Sequence, residues 1–214
     1  MKFSTPFKYI IALVFFTSVQ SCIQGVKEIK SWIEASNIEE VEGSYHNLNE
    51  DGIKLYLPSV FKKHSLREYK KIVDSLTSKE VYNVEKKRLN NLRKLDGNFY
   101  IFFDEDTHST FTLNTMPYNP IYRRDAQYLL GVIRKNYENN NTNPDIISSK
   151  VTAKYSDKNG PQVFKAVFKI ENNKTKDFSY NSTYIMSSNK KTIWIQVSSP
   201  YENGVDDYLT KLIM

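Results

Sequence analysis

Few residues in this 214-residue chain have types and spacings that could do chemistry. Cys22 is the single cysteine, so its thiol could be left reactive, bridge to another chain or accept an acyl group. Asp104-Glu105-Asp106-Thr107-His108 sets three carboxylates beside an imidazole, the best candidate for a divalent cation. A calcium loop of the EF-hand kind needs glycine at its sixth position, and Ser109 stands there. The histidines are His46, His64 and His108, in a linker, a turn before a helix and a hairpin tip. Any of them could serve as a base, yet ordinary exposed polar positions account for all three. The sequence has no G-x-S-x-G, H-E-x-x-H, P-loop or G-x-G-x-x-G pattern, so no catalytic residue, cofactor or metal is expected. Met116-Pro117-Tyr118-Asn119-Pro120-Ile121-Tyr122 is a different kind of signal. Two prolines stiffen a loop that carries Tyr118 and Tyr122 and runs into Arg123 and Arg124, and rigid aromatics with arginine are enriched at binding hot spots. The competing reading is that the two tyrosines cover a sheet.

The surroundings of Cys22 point to acylation. Lys2 and Lys8 form a basic start and residues 9–16 (YIIALVFF) an apolar middle. That run falls short of the roughly 20 residues a spanning helix needs and suits a secretory leader. Val19-Gln20-Ser21-Cys22 resembles the lipobox of bacterial lipoproteins, in which the cysteine receives a diacylglycerol and becomes the mature N-terminus. The resemblance implies a signal peptide over 1–21, lipidation of Cys22 and a lipid bilayer as partner through that group, since two or more acyl chains hold firmly. Ile23 follows the cysteine where an inner-membrane retention signal would place Asp, which implies the outer membrane of a cell envelope. An ordinary secretory leader that happens to precede Cys22 and a membrane anchor are the alternatives.

Removing residues 1–21 from the 214 leaves 193, enough for one domain with a sizeable core. The leader holds two lysines and no acids, so the formal charge falls from +6 to +4. That mild excess, spread over several clusters, favours anionic headgroups over nucleic acid, which is not expected as a partner. With Cys22 acylated, no disulfide is available and stability must come from packing.

Residues 22–50 read as a lipidated tether or accessory helix, and 51–214 as one domain. Residues 53–57 (IKLYL) alternate as a strand closed by Pro58. Ser65-Leu66-Arg67-Glu68 is a capping box opening a helix whose stripe is Leu66, Tyr69, Ile72, Val73 and Leu76. Ser78 opens a second, with Val81, Val84, Leu89, Leu92 and Leu95 inward and Lys86, Lys87, Arg88, Arg93 and Lys94 on a solvated face, a membrane or partner contact being the alternative for these cations. Strands follow at 98–104 and 110–116, then a helix at 123–139 with Ala126, Leu129, Leu130, Val132, Ile133 and Tyr137 inward. The last third is a meander at 146–155, 162–171, 178–187 and 192–198. In 162–171 the aromatic face is meant for the core, while Val163, Lys165, Val167 and Lys169 meet water or a helix. Residues 205–214 read as a terminal helix. The class is α+β: an antiparallel sheet of six or seven strands covered by helices.

This order, with Leu57-Pro58 ending a short strand, a long mid-chain helix, a meander and a closing helix, resembles the PsbP-like fold over residues 50–214. Bacterial DcrB-like lipoproteins are similar and share the leader type. The resemblance implies a layered sandwich and a mainly non-enzymatic role supporting complexes or sitting on membranes, here a binding or envelope-assembly module with an envelope protein as partner. An envelope hydrolase or metal-dependent enzyme using His108, and a carrier of small apolar ligands, are the alternatives.

Overall fold

A computed structural model describes residues 41–76, 79–140, 143–157, 160–202 and 204–214. The leader and Cys22 lie outside these residues. The frame is a seven-stranded antiparallel sheet in the order β3-β4-β5-β9-β8-β7-β6. Its strands are β3 (Lys62–His64), β4 (Phe99–Asp104), β5 (Ser109–Met116), β6 (Ile146–Ser156), β7 (Gln162–Asn172), β8 (Phe178–Ser188) and β9 (Lys191–Ser199). A separate hairpin pairs β1 (Ser44–Leu48) with β2 (Ile53–Leu57). The α+β expectation of about seven antiparallel strands under helices is met.

Alternation along each strand divides the sheet into two faces. One face carries Ile101, Phe103, Phe164, Phe168 and Ile185 under three helices: α1 (Leu66–Leu76), α2 (Lys79–Leu92) and α3 (Ala126–Asn140). The other carries Phe102, Phe111, Leu113, Tyr184 and Ile195, covered by the β1–β2 hairpin and the C-terminal segment. Leu55 and Leu57 of β2 are fully buried there, each contributing on the order of 1.5–3 kcal/mol relative to exposure. Phe102 and Phe111 are register partners with rings 6.0 Å apart, edge to face. Among the described residues no helix is long and apolar enough to cross a membrane.

Local chemistry explains most element ends. Ser65 Oγ accepts the Glu68 N–H at 3.3 Å, and Glu68 accepts the Ser65 N–H at 2.7 Å, which is the expected capping box. Gly97 sits at φ 98° in the turn before β4, and a Cβ there would lie 1.9 Å from the Thr115 carbonyl oxygen, so only glycine fits.

Five expectations change. His64, placed in a turn before a helix, ends the strand β3, and Leu76, placed in the inward stripe of α1, is exposed. Residues 44–48, assigned to the tether, form β1, and Leu48 is buried in the core; the polar SYHNL stretch hid a strand whose partner is its neighbour β2. The terminal helix shrinks to one turn, α4 (Asp206–Leu209), after which Ile213 exchanges backbone hydrogen bonds with Lys54 of β2. Arg88 leaves the solvated face of α2. Its guanidinium holds Glu85 at 2.6 and 2.7 Å and donates to Gln196 of β9 at 2.9 Å.

The Lys165 face of β7 does meet a helix. The Lys165 ammonium donates to Asp206 of α4, and the Tyr184 hydroxyl of β8 donates to the other oxygen of the same carboxylate, with all three residues buried. Removing one member of a buried pair strands the other charge, which costs about 3–5 kcal/mol. Asp206→Ala should therefore lower the unfolding free energy measured by urea titration by that amount, whereas Lys165→Met combined with Asp206→Leu should lose far less; equal losses in the two variants would deny the pair this role.

Candidate functional site

The loop 117–122 leaves β5 and crosses the end of the sheet before α3. It is held from below. Asn119 donates its N–H to Thr192 Oγ1 at 2.8 Å and accepts at its carbonyl from Ser187 Oγ at 2.7 Å. Ile121 donates to Gln162 Oε1 at 2.8 Å, accepts from the Tyr155 hydroxyl at 2.9 Å, and buries its side chain in the core under α3. Four strands, β6 to β9, thus fix one short loop. The Tyr122 N–H then meets Asp125 Oδ2 at 2.8 Å and starts the 3-10 turn Arg123–Asp125 that leads into α3.

Backbone anchoring leaves the expected site residues outside. Tyr118 is 52% and Tyr122 45% exposed, so neither covers the sheet. Arg123 and Arg124 are exposed, and the Arg124 guanidinium lies 4.9 Å from the Tyr122 ring centroid. Stacking of this kind holds an arginine ready without satisfying its donors. Tyr128 on the first turn of α3 is 73% exposed. It was missed, although the stripe Ala126, Leu129, Leu130 and Ile133 places it on the opposite side of the helix.

The other candidates are engaged elsewhere. Asp104 is buried and spends its carboxylate on the Asp106 N–H (3.0 Å) and the Thr107 hydroxyl (2.5 Å), shaping the tip of the β4–β5 hairpin. His108 turns back at φ 54° to stack on Phe103, and His64 approaches the same ring edge-on. Among the described residues no group of three or more His, Cys, Asp or Glu comes close enough to hold a metal.

Perturbed ionisation is concentrated in structural networks. Burial would raise Glu85, but the charge and hydrogen bonds of Arg88 outweigh it and hold the carboxyl below its usual range. Burial and the neighbouring Glu85 push Tyr69 far up, and its hydroxyl donates to Glu85 at 3.0 Å. This network fastens α1 and α2 to the sheet; such ion pairs shift ionisation without marking a reaction centre. Burial, chiefly, pushes Tyr137 of α3 up to about 12.

His46 is edge-on to Phe102 at 4.8 Å, and burial first and Lys63 second hold it below its ordinary 6.5. The fold therefore prefers the neutral ring, while the unfolded chain takes up a proton near 6.5. Its contribution is complete above that value and falls as pH drops towards the folded pKa. Urea midpoints at about pH 7.5 and about pH 5.5 should differ in that direction, and His46→Gln should shrink the difference; an undiminished drop would place the proton elsewhere.

Among solved structures, the fold is similar to the solution structure of cyanobacterial PsbP (CyanoP) from Synechocystis sp. PCC 6803, with TM-score 0.52 and 9% sequence identity over 85% of this chain and 97% of that one. The likeness is one of fold. No family model and no curated protein matches the sequence.

Proposed function

We propose that this PsbP-like domain is a lipid-anchored binding module of a bacterial cell envelope, which contacts a protein partner through Tyr118, Tyr122, Arg123 and Arg124 and catalyses no reaction. The observation that carries the reading is the loop itself. Hydrogen bonds from four strands immobilise its backbone while its tyrosines and arginines face outward. A contact made by pre-ordered side chains gives up little entropy on association. Tyrosine and arginine also combine apolar area with hydrogen-bond donors, which suits the centre of an interface. The leader supports the rest: the lipobox-like Val19-Gln20-Ser21-Cys22 supplies an acyl acceptor, and acylation at Cys22 would keep the domain at the outer membrane.

Two measurements test the proposal. Cys22→Ala should leave salt-washed membranes and lose fatty-acid label; persistence there at the same mature size would end the anchoring claim. A photo-crosslinker at Tyr118 in native envelopes should capture one discrete partner. Tyr122→Ala with Arg124→Ala should weaken that complex by roughly 30-fold or more, as hot-spot residues do, with the urea midpoint unchanged. Undiminished capture by the double variant would remove the loop from the interface.

A further inference from the structure

Residues 62–71 carry Lys62, Lys63, Arg67, Lys70 and Lys71 against a single acid, Glu68. They form the edge strand β3 and the first half of α1, and of the five only Lys70 is partly covered. Glu68 is committed to the Ser65 capping box, so its carboxylate caps the helix as well as offsetting the cations. The next acid along α1 is Asp74. Exposed apolar side chains bracket the basic run, with Val60 47% and Leu76 50% exposed. Along the edge of β3 opens a groove of about 450 Å³, lined by Lys63, His64, Ser65, Leu66, Phe99 and Tyr100. The Lys63 ammonium sits 4.8 Å over the Tyr100 ring at this groove.

The position of this edge says what it would meet. Val41, the first described residue, has its carbonyl held by the Tyr56 hydroxyl at 3.2 Å and by Lys211 at 3.3 Å, and Gly43 lies against the Leu57 backbone. Leu57 precedes Lys62 by five residues, at most about 18 Å of chain. His46, which follows in β1, has its ring 4.8 Å from that of Phe102, the register partner of Lys63, so the segment leading back to Cys22 joins the domain near the basic edge. Residues 117–122 are fastened to strands β9, β8, β7 and β6, three to six positions across the sheet from β3, or about 14–29 Å.

We infer that the β3–α1 edge is a docking face for the anionic phosphate surface of a lipid bilayer. Lys62, Lys63, Arg67, Lys70 and Lys71 neutralise headgroup phosphates, and Val60 enters the interface. The inference rests on the membrane-anchored reading and deepens it. The anchor fixes the domain near the lipid, and the basic edge fixes its orientation, with Tyr118 and Tyr122 on the far side. Each basic residue near an anionic surface contributes roughly fivefold in partitioning, so the face as a whole gives strong but salt-sensitive binding.

The test uses the full chain carrying Cys22→Ala, so that acylation plays no part, with vesicles of phosphatidylcholine alone or of phosphatidylcholine mixed with phosphatidylglycerol. Neutral vesicles register any binding by the leader. Anionic vesicles should bind at least about tenfold more, and the excess should vanish between about 0.05 M and about 0.5 M salt. Replacing Lys62, Lys63, Lys70 and Lys71 by Glu should remove the excess. Replacing Lys86, Lys87, Arg93 and Lys94 of the α2 region by Glu makes the same change in net charge and should leave most of it. Lys70→Glu with Lys71→Glu gives a partial loss and guards against misfolding of the fourfold variant. Equal loss in both fourfold variants would mean diffuse charge, and abolition by inorganic phosphate at constant ionic strength would mean a free-anion site; either result, or no preference for phosphatidylglycerol, overturns the proposal. Failure here leaves anchoring through Cys22 untouched, because that claim is read in membrane fractionation.

Discussion

Asp206 is the residue on which the two layers below the sheet converge. Lys165 lies in the second-to-last strand with its ammonium on a face otherwise built from Val163, Tyr184, Met186 and Ile195. A charge there needs a counter-charge, and the chain supplies it from the one-turn helix α4. Once Asp206 is seated on Lys165 and Tyr184, Val205, Leu209 and Leu212 are drawn over the apolar face. Ile213 then runs beside Lys54 and fastens the hairpin layer. A residue type unsuited to a core thus determines where the last ten residues lie.

The opposite face is held by different means. Three helices cover it, and two of them cross the sheet with a polar seam as well as an apolar one: Tyr69, Glu85, Arg88, Thr110 and Gln196 form a continuous hydrogen-bonded set. Polar contacts of this type add directional demands to packing that apolar side chains alone leave loose. Between these two faces the sheet is rigid enough to present the loop 117–122 by its ends, as a scaffold presents a binding loop.

Much of this was legible in the residues. The four meander strands, both mid-chain strands and the stripes of α1 and α3, apart from the exposed Leu76, carry period-two and period-3.6 signals strong enough to be read alone, and the capping box at Ser65 and the proline-stiffened loop are legible from their residue types. Most of what escaped reading depended on partners far away in the chain, β1 being the exception because its partner β2 is its neighbour. β1 has a polar sequence and becomes a strand because Leu48 and β2 need it. The tail beyond Leu209 abandons its helical pattern for a bridge to Lys54. Arg88 reads as an ordinary surface cation and Lys165 as one that meets water or a helix, and only the fold brings Gln196 to the first and Asp206 to the second. The exposure of Tyr118 and Tyr122 was likewise undecidable locally, because the groups that turn the loop's backbone inward sit on four separate strands.

The strand order also sets a timetable. β5 is flanked by β4, which precedes it directly, and by β9, which is made near the end: Met116 pairs with Thr192 and Thr110 with Ser198. Closing so long a loop is entropically slow, and it precedes the arrival of the α4 turn that neutralises Lys165. Until the last twenty or so residues exist, the sheet is split into two unjoined halves and neither can complete a core. A chain made from its N-terminus would therefore remain pliable through most of its synthesis and would become a domain only when its final segment arrives.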